Sequence, residues 1–315
     1  MANKANFDPP SSILHPRPVL IVGPTAVGKS QIALQLAEQL GGEIISADSM
    51  QVYRGLDIGT AKPSSAERTR VPHHLIDICD LAQSFDAAQF ARLAHRAVAE
   101  IQSRGHVPIL CGGTGLYFKA FLEGLGEAPS ADSKLRAELE STPLEKLLEE
   151  LRERDPVTYE KIDRKNPRRV IRAVEVIRLT DRPASIQRAD WTSRHSSLVT
   201  RHFYCFTRQP ADLHARINAR VDAMFARGLV EETRELLKRG LAENKTARQA
   251  IGYRQVAEHL RGERSLKETI ELVKVRTRQF AKRQRTWFRA QKNLEWIELK
   301  PVEMFEEILL RLKLA

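Results

Sequence analysis

The sequence predicts an α/β protein: a parallel sheet covered by helices, with an inserted all-helical subdomain and a helical C-terminal region. Three observations predict it. The segment Gly23-Pro24-Thr25-Ala26-Val27-Gly28-Lys29-Ser30 lies between an apolar run at 18–22 and a helical pattern, the strand–loop–helix setting of a G-x-x-x-x-G-K-[ST] phosphate loop. Short apolar runs then alternate with helical patterns through the first third of the chain, the rhythm of strands whose faces are covered by helices. From Pro129 to about Arg201 the chain is charged, broken at Pro143, Pro156, Pro167 and Pro183, and has no convincing buried strand. The expected body is therefore P-loop NTPase-like.

In chain order, residues 1–17 are polar and proline-rich and read as a disordered lead. Strands are expected at 18–22, 43–47, about 74–78 and 107–111, and helices at 28–40 and 86–104. The run Leu198-Val-Thr-Arg-His-Phe-Tyr-Cys-Phe206 returns the chain to the sheet, and long helices follow at about 211–240, 246–261 and 265–292. The domain reading is an α/β core over 18–128 and 199–315, interrupted by a helical insertion over 129–198. No internal repeat or low-complexity tract is visible.

Composition narrows the class. With 315 residues, 42% of them hydrophobic, the chain can bury a large core. Its 51 Lys and Arg against 40 Asp and Glu give a formal charge of +11, which favours a polyanionic partner such as nucleic acid. No apolar stretch reaches membrane-spanning length and the N-terminus lacks a signal-peptide core, so a cytoplasmic protein is expected. Cys79, Cys111 and Cys205 have neither zinc-ligand nor disulfide-framework spacing.

Several side chains carry candidate chemistry. In the phosphate loop, glycines let backbone N–H groups converge on phosphate oxygens, Lys29 adds positive charge, and the Ser30 hydroxyl can hold Mg²⁺ at the helix N-terminus. Asp48 follows the second strand. Ligands bind outside the carboxyl ends of parallel strands, so Asp48 should share the phosphate-loop cleft, either as an acidic partner of the metal or as a general base. Nearby Gln51 and Tyr53 offer an amide and a ring suited to a base edge and face. In Gly112-Gly113-Thr114-Gly115-Leu116-Tyr117 the glycines permit a close backbone approach, while Thr114 could contact the approaching object or cap a helix.

Two basic stretches suggest the partner. Arg168, Arg169 and Arg172 crowd the first turn after Asn166-Pro167, where the helix dipole disfavours cations, so an anion is expected to neutralise them. From Leu272 to Leu294 there are eight basic residues and no acidic one. There Val273, Phe280 and Trp287 are expected to form a buried stripe, leaving Arg278, Lys282, Arg285 and Arg289 on a face built for a phosphate backbone. The alternative is pairing of that face with carboxylates such as Glu231, Glu232 or Glu235.

These motifs occur together and in order: Gly23–Ser30, Asp48–Pro63, His73–Asp77, Gly112–Tyr117, Asn166–Arg172, Gln249–Gln255 and Thr277–Arg289. Together they resemble the bacterial tRNA dimethylallyltransferases, also called tRNA isopentenyltransferases, over about 18–300. The resemblance implies transfer of a dimethylallyl group from dimethylallyl diphosphate to N6 of adenosine 37, immediately 3′ of the anticodon, in tRNAs reading codons that begin with U. It implies Mg²⁺ as cofactor, and the anticodon stem-loop of tRNA and the prenyl diphosphate as partners, with no membrane and a monomeric enzyme. Carried over by residue, it gives Asp48 as the base at the adenine amine, Thr114 as a contact to that nucleotide, and the phosphate loop with Lys29 and Ser30 as the diphosphate site. Asp48, Ser49, Met50 and Gln51, then Arg168, Arg169 and Arg172, then Arg248, Gln249, Gly252 and Tyr253 match regions that touch tRNA. Arg136 and Arg220 are expected to contact RNA or diphosphate. Val27 and Ser30 stand where many relatives carry Ser and Thr, and Ser30 keeps the hydroxyl. The zinc module of eukaryotic relatives is absent from this sequence, which the resemblance reads as bacterial.

Two other classes fit part of these observations. A small-molecule kinase would use the same loop for ATP but leaves the acid-free basic stretch unexplained, and a non-catalytic RNA-binding module would not need Asp48 beside a phosphate loop. Within the prenyltransferases, an adenylate-using cytokinin synthase is the nearest rival, but those relatives are shorter and lack the inserted region and the C-terminal basic helix.

Overall fold

The computed structural model describes residues 16–124, 129, 132–189, 202–291 and 293–312. Most of the expected N-terminal lead, residues 198–201 of the returning run and Lys292 lie outside these residues. The chain divides into two compact units, one of residues 1–117 with 200–315 and one of 118–199. The second opens inside a helix, ahead of the composition change at Pro129.

The first unit is built on six strands, β1 (Val19–Val22), β2 (Gly42–Ala47), β3 (His73–His74), β4 (Val107–Gly112), β5 (Phe203–Thr207) and β6 (Glu295–Glu298), in the order β3-β2-β4-β1-β5-β6. Every pair is parallel. Strands β1 and β2 are buried along their whole length, which is why they read as unbroken apolar runs. Helices α1 (Lys29–Leu40), α2 (Ser65–Arg70) and α3 (Ala87–Ser103) belong to the first half, and α4 (Gly115–Glu123) follows β4. A core of Ile21, Leu36, Ile109, Phe206, Ile217 and Val273 joins the sheet to α1 and to the C-terminal helices.

Several expected elements change shape. The third strand ends after two residues because Leu75 and Asp77 take left-handed backbone conformations (φ 61° and 56°). The helix expected at 211–240 is two helices, α10 (Pro210–Ala226) and α11 (Leu229–Lys238), separated by left-handed Gly228. The one at 246–261 is a 3₁₀ turn (Ala247–Gln249) followed by α12 (Tyr253–Leu260), with Gly252 at φ 97° between them. The last long helix is α13 (Leu266–Arg289), started by a Ser265–Glu268 capping box. Its buried face is Thr269, Val273, Ala281, Gln284 and Phe288, while Phe280 is exposed and Trp287 only half-buried. A strict seven-residue spacing therefore misplaces the stripe, because a straight helix turns about 20° per heptad away from it. Strand β6 and helix α14 (Phe305–Arg311) were not expected; in β6 only Ile297 is buried, so the strand shows no apolar pattern.

The second unit contains α5 (Ser133–Ser141), α6 (Leu144–Arg154), α7 (Pro156–Lys161), α8 (Pro167–Thr180) and α9 (Ala184–Ala189). Leu139, Leu147, Leu151, Val170, Val174 and Ile177 form its separate core. Asn166 caps α8 by accepting from the Arg169 amide, with Pro167 as the first helical residue.

Candidate active site

Strand β1 delivers the chain into the phosphate loop. A side chain at Gly23 (φ 148°) would place its Cβ 2.5 Å from the Phe206 carbonyl oxygen, so glycine alone passes β5 at this point. Ala26 (φ 63°) and Gly28 (φ 111°) take left-handed conformations, and α1 begins at Lys29 with no side-chain cap, which leaves its N-terminal dipole to the loop. The Lys29 ammonium donates to the Pro24 carbonyl (3.3 Å), and burial holds its pKa below the usual lysine range. Ala26, Gly28, Lys29, Ser30, Arg216 and Arg220 line a cavity of ≈ 340 Å³ over the loop.

Asp48 is the first residue past β2. Its Oδ1 accepts from the Met50 amide at 2.8 Å, an Asx turn that fixes the carboxylate while Asp48 stays half-buried. It makes no salt bridge among the described residues. Asp48, Ser49, Met50, Thr114, Gln249 and Arg220 share a cavity of ≈ 280 Å³ with Thr25, Phe280 and Arg283. Arg220 borders both cavities, and burial lowers its pKa against the opposing pull of Asp48. The phosphate-loop cavity and the Asp48 cavity therefore meet at one guanidinium.

The glycine run after β4 is explained inside the protein. A Cβ at Gly112 would lie 2.1 Å from the Ala47 carbonyl oxygen, one at Gly113 2.3 Å from Gln284 Nε2, and one at Gly115 2.3 Å from the Trp287 ring. The object approached so closely is β2 and α13. Thr114 Oγ1 accepts from the Ser49 amide at 3.2 Å and so steadies the Asp48 turn while lining the same cavity.

Other expected contacts are used differently. The Gln51 carboxamide accepts from the Ser46 hydroxyl (2.9 Å) and donates to the Thr60 carbonyl (3.1 Å), so both ends of its amide are engaged within the protein. Tyr53 has no exposed surface and offers no ring face to a base. Tyr253 is also fully buried; its hydroxyl donates to Glu232 and accepts from the Gly59 amide (3.0 Å), a framework role. Gly252 supplies the positive φ before α12, and Arg248 is exposed, with a 3.4 Å hydrogen bond to the Ala242 carbonyl.

On α13, Arg278 is half-buried and donates to Asn218 Oδ1 at 2.6 Å. Lys282 and Arg289 are exposed and Arg285 half-exposed, and none of the three has an ion pair among the described residues. The alternative acidic partners are occupied: Glu231 pairs with Arg234, Glu235 with Lys238, and Glu232 accepts from the amides of Ile58 and Gly59. In the second unit, Arg168 and Arg169 are exposed at the start of α8. The anion expected there is internal for Arg172, which with Arg136 pairs to the fully buried Glu175 (2.6 and 2.5 Å).

Sequence reasoning missed Arg216, Arg283, Phe280 and Gln284. Gln284 accepts from the Thr25 amide (2.9 Å) and donates to the Gly113 carbonyl (2.9 Å), joining the phosphate loop to the glycine turn. The Arg283 guanidinium lies over the Phe280 ring at 5.8 Å. Phe280 is apolar at helical spacing, so only its exposure reveals it as cavity lining.

A family model described as IPP transferase matches residues 51–291. The chain belongs to the IPP transferase family. A tRNA dimethylallyltransferase of Geobacter metallireducens is 47% identical to this chain over 290 residues, covering 90% of this chain and 92% of the relative. One from Halorhodospira halophila is 49% identical over 281 residues, covering 87% and 90%. The crystal structure of the full-length tRNA isopentenylpyrophosphate transferase of Bacillus halodurans superposes with TM-score 0.68 at 41% identity, covering 94% of both chains. A structure of a eukaryotic dimethylallyltransferase acting on tRNA gives TM-score 0.75 at 28% identity, covering 90% of this chain and 74% of that one.

Proposed function

We propose that this IPP transferase moves the dimethylallyl group of dimethylallyl diphosphate to N6 of adenosine 37 in tRNAs reading codons that begin with U. The observation that carries this reading is that Asp48 and the phosphate loop open on cavities sharing Arg220. An acceptor in the Asp48 cavity and a diphosphate over the loop would meet there.

The adenine amine is a poor nucleophile because its lone pair is delocalised into the ring. N6 attacks C1 of the allyl group, the C1–O bond breaks, diphosphate leaves with the bonding pair, and the N6 proton passes to Asp48. Thr114 holds the Asp48 turn through the Ser49 amide. The N-terminus of α1, Lys29 and Arg220 stabilise the charge that develops on the diphosphate. Residues fit Mg²⁺ in a limited way: Ser30 is exposed at the first turn of α1 and lines the loop cavity, and no cluster of three His, Cys, Asp or Glu able to hold a metal occurs among the described residues. Ser30 would be the protein ligand of an ion held otherwise by phosphate oxygens and water, and bound Mg²⁺ would neutralise the leaving diphosphate. Lys282, Arg289 and the half-exposed Arg285 on α13 are the cations without an ion pair among the described residues that α13 offers to the RNA backbone, and Arg169 and Arg248 are further exposed cations. A single-stranded loop suits this site because an unpaired adenosine costs little to unstack. No helix among the described residues is long and apolar enough to cross a membrane.

The test is transfer of label from dimethylallyl diphosphate to bulk tRNA, with labelled ATP as the control donor. Incorporation from the prenyl donor alone, mapped to N6 of adenosine 37, is the expected result. Tight ATP binding and hydrolysis with no prenyl transfer would replace this reading with a kinase.

A further inference from the structure

The phosphate loop carries two consecutive carbonyls that are captured by arginines from elsewhere in the chain. Arg208, the residue after β5, donates through Nε to the Val27 carbonyl at 2.8 Å. Arg216, two turns into α10, donates through Nε to the Ala26 carbonyl at 3.0 Å. Both grips act where the loop backbone is unusual, with Ala26 at φ 63° and Gly28 at φ 111°. For alanine the left-handed conformation is unfavourable, so surrounding contacts must hold it. With these carbonyls engaged by guanidinium groups, their negative ends are neutralised beside a loop whose N–H groups suit an anion.

The two guanidinium groups differ in what remains of them. Arg208 is 9% exposed, is not among the residues lining the cavity over the loop, and donates through Nη1 to Asp212 (2.9 Å) and to the Lys300 carbonyl just beyond β6 (2.8 Å), with its Nη2 3.6 Å from where a Cβ on Gly28 would be. Arg216 has no other hydrogen bond among the described residues, and it lines the cavity over the loop beside Lys29, Ser30 and Arg220. Its Nη2 stands 3.8 Å from where a Cβ on Gly28 would be, so its free edge lies over the start of α1. Burial and the neighbouring Arg208 charge lower its pKa, with Asp212 pulling the other way.

The geometry points to Arg216 as a positioning and donor-specificity residue: one edge of its guanidinium holds the Ala26 carbonyl, and the other binds the outer phosphate of a diphosphate ester. Arg208 is the purely structural half of the clamp. This inference rests on the proposed donor site, and it adds that discrimination between diphosphate and monophosphate depends on a residue of α10 rather than on the loop motif. A planar fork presents separate edges to a carbonyl and a phosphate in fixed geometry, whereas a lysine ammonium is a compact point charge without that two-edged geometry.

The test uses the full chain and two ligands, inorganic diphosphate and inorganic phosphate, measured by calorimetry, alongside KM and kcat for dimethylallyl diphosphate. Arg216→Ala is expected to weaken diphosphate binding and raise donor KM about 10- to 100-fold, the range for a charge-assisted hydrogen bond. Phosphate binding should change far less and the Kd for tRNA should stay within twofold. Added guanidinium ion at non-denaturing concentration should restore part of the diphosphate affinity. Arg216→Lys keeps the charge and serves if the alanine variant fails to fold; it should also lose diphosphate preference. Equal diphosphate affinity in either folded variant and the wild type overturns the inference while leaving prenyl transfer intact. Loss of diphosphate binding in a protein that transfers no prenyl group would instead uphold the anion site and overturn the proposed reaction.

Discussion

Strand β2 ends in a carboxylate at both extremities, and the two behave oppositely. At its start Glu43 is 3% exposed and fully engaged: Arg104 grips both oxygens (2.8–3.1 Å), and His74 and His106 lie at 2.6 and 2.7 Å. Just beyond its end Asp48 is half-buried and, among the described residues, receives only the backbone amides of Met50 and Gln51. The same contrast separates the arginine-rich helices, since Arg172 of α8 is engaged by buried Glu175 whereas Lys282, Arg285 and Arg289 of α13 have no acidic partner among the described residues. Engaged charges hold the frame, and the unengaged ones are those assigned to ligands under the proposed function. Parallel sheets explain the polarity, because loops at the carboxyl ends of strands are free to build sites while the opposite ends must simply be closed.

The sharpest break of this contrast is Asp48→Asn. It should lower kcat roughly 10²- to 10⁴-fold, the range for a lost general base, with tRNA and donor binding within a few-fold and an unchanged unfolding midpoint. Turnover near wild type in single-turnover assays would remove Asp48 from the proton transfer. Glu43→Gln should do the reverse, costing about 2 kcal/mol in urea unfolding while kcat per folded molecule is retained; the cost is discounted from that of a fully buried pair because Arg104 and His106 are nearly half exposed.

Acid titration sharpens the same point. Burial alone would raise the Glu43 pKa, but hydrogen bonds from Arg104, His74 and His106 bring it down to about 2, from an ordinary 4.5. A folded-state value below the unfolded one gives stability that is complete above pH 4.5 and lost as pH falls towards 2. Unfolding free energy measured between those limits should fall more steeply for the wild type than for Glu43→Gln, and parallel curves would dismiss the pairing as a source of stability.

For the helices, Lys282→Ala with Arg285→Ala should weaken binding to all cognate tRNAs about tenfold and reduce the salt slope by about 0.7–0.9 per lost contact, with no change in unfolding midpoint or donor KM. The smallest change is expected from Arg172→Ala: about 1 kcal/mol of stability, since Arg136 still neutralises Glu175 and Arg172 is about a third exposed. If the double variant on α13 loses stability and not salt slope, its face is framework like that of α8.

The phosphate loop, Asp48, Thr114 and the strands β1, β2 and β4 were legible because each is local: a strand period, a glycine pattern, a residue at a strand end. The roles of Gln51 and Tyr53 were not, since whether an amide is free or a ring exposed depends on the Thr60 carbonyl and on packing around the 51–63 loop. Nor could Arg136 and Arg172 be told from RNA contacts, because one buried carboxylate on α8, Glu175, engages both.

By itself the sequence determined strands β1, β2, β4 and β5, the phosphate-loop motif, the carboxylate beside it and the basic character of α13, all properties of residues near one another in the chain. Tertiary structure alone decided which charges remain available. Gln284 meets Thr25 across 259 positions and Arg216 meets Ala26 across 190, distances over which no pattern of propensity or period carries information. The physical reason is that a charge or an amide is defined functionally by what desolvates and pairs it, and those partners are chosen by the folded topology.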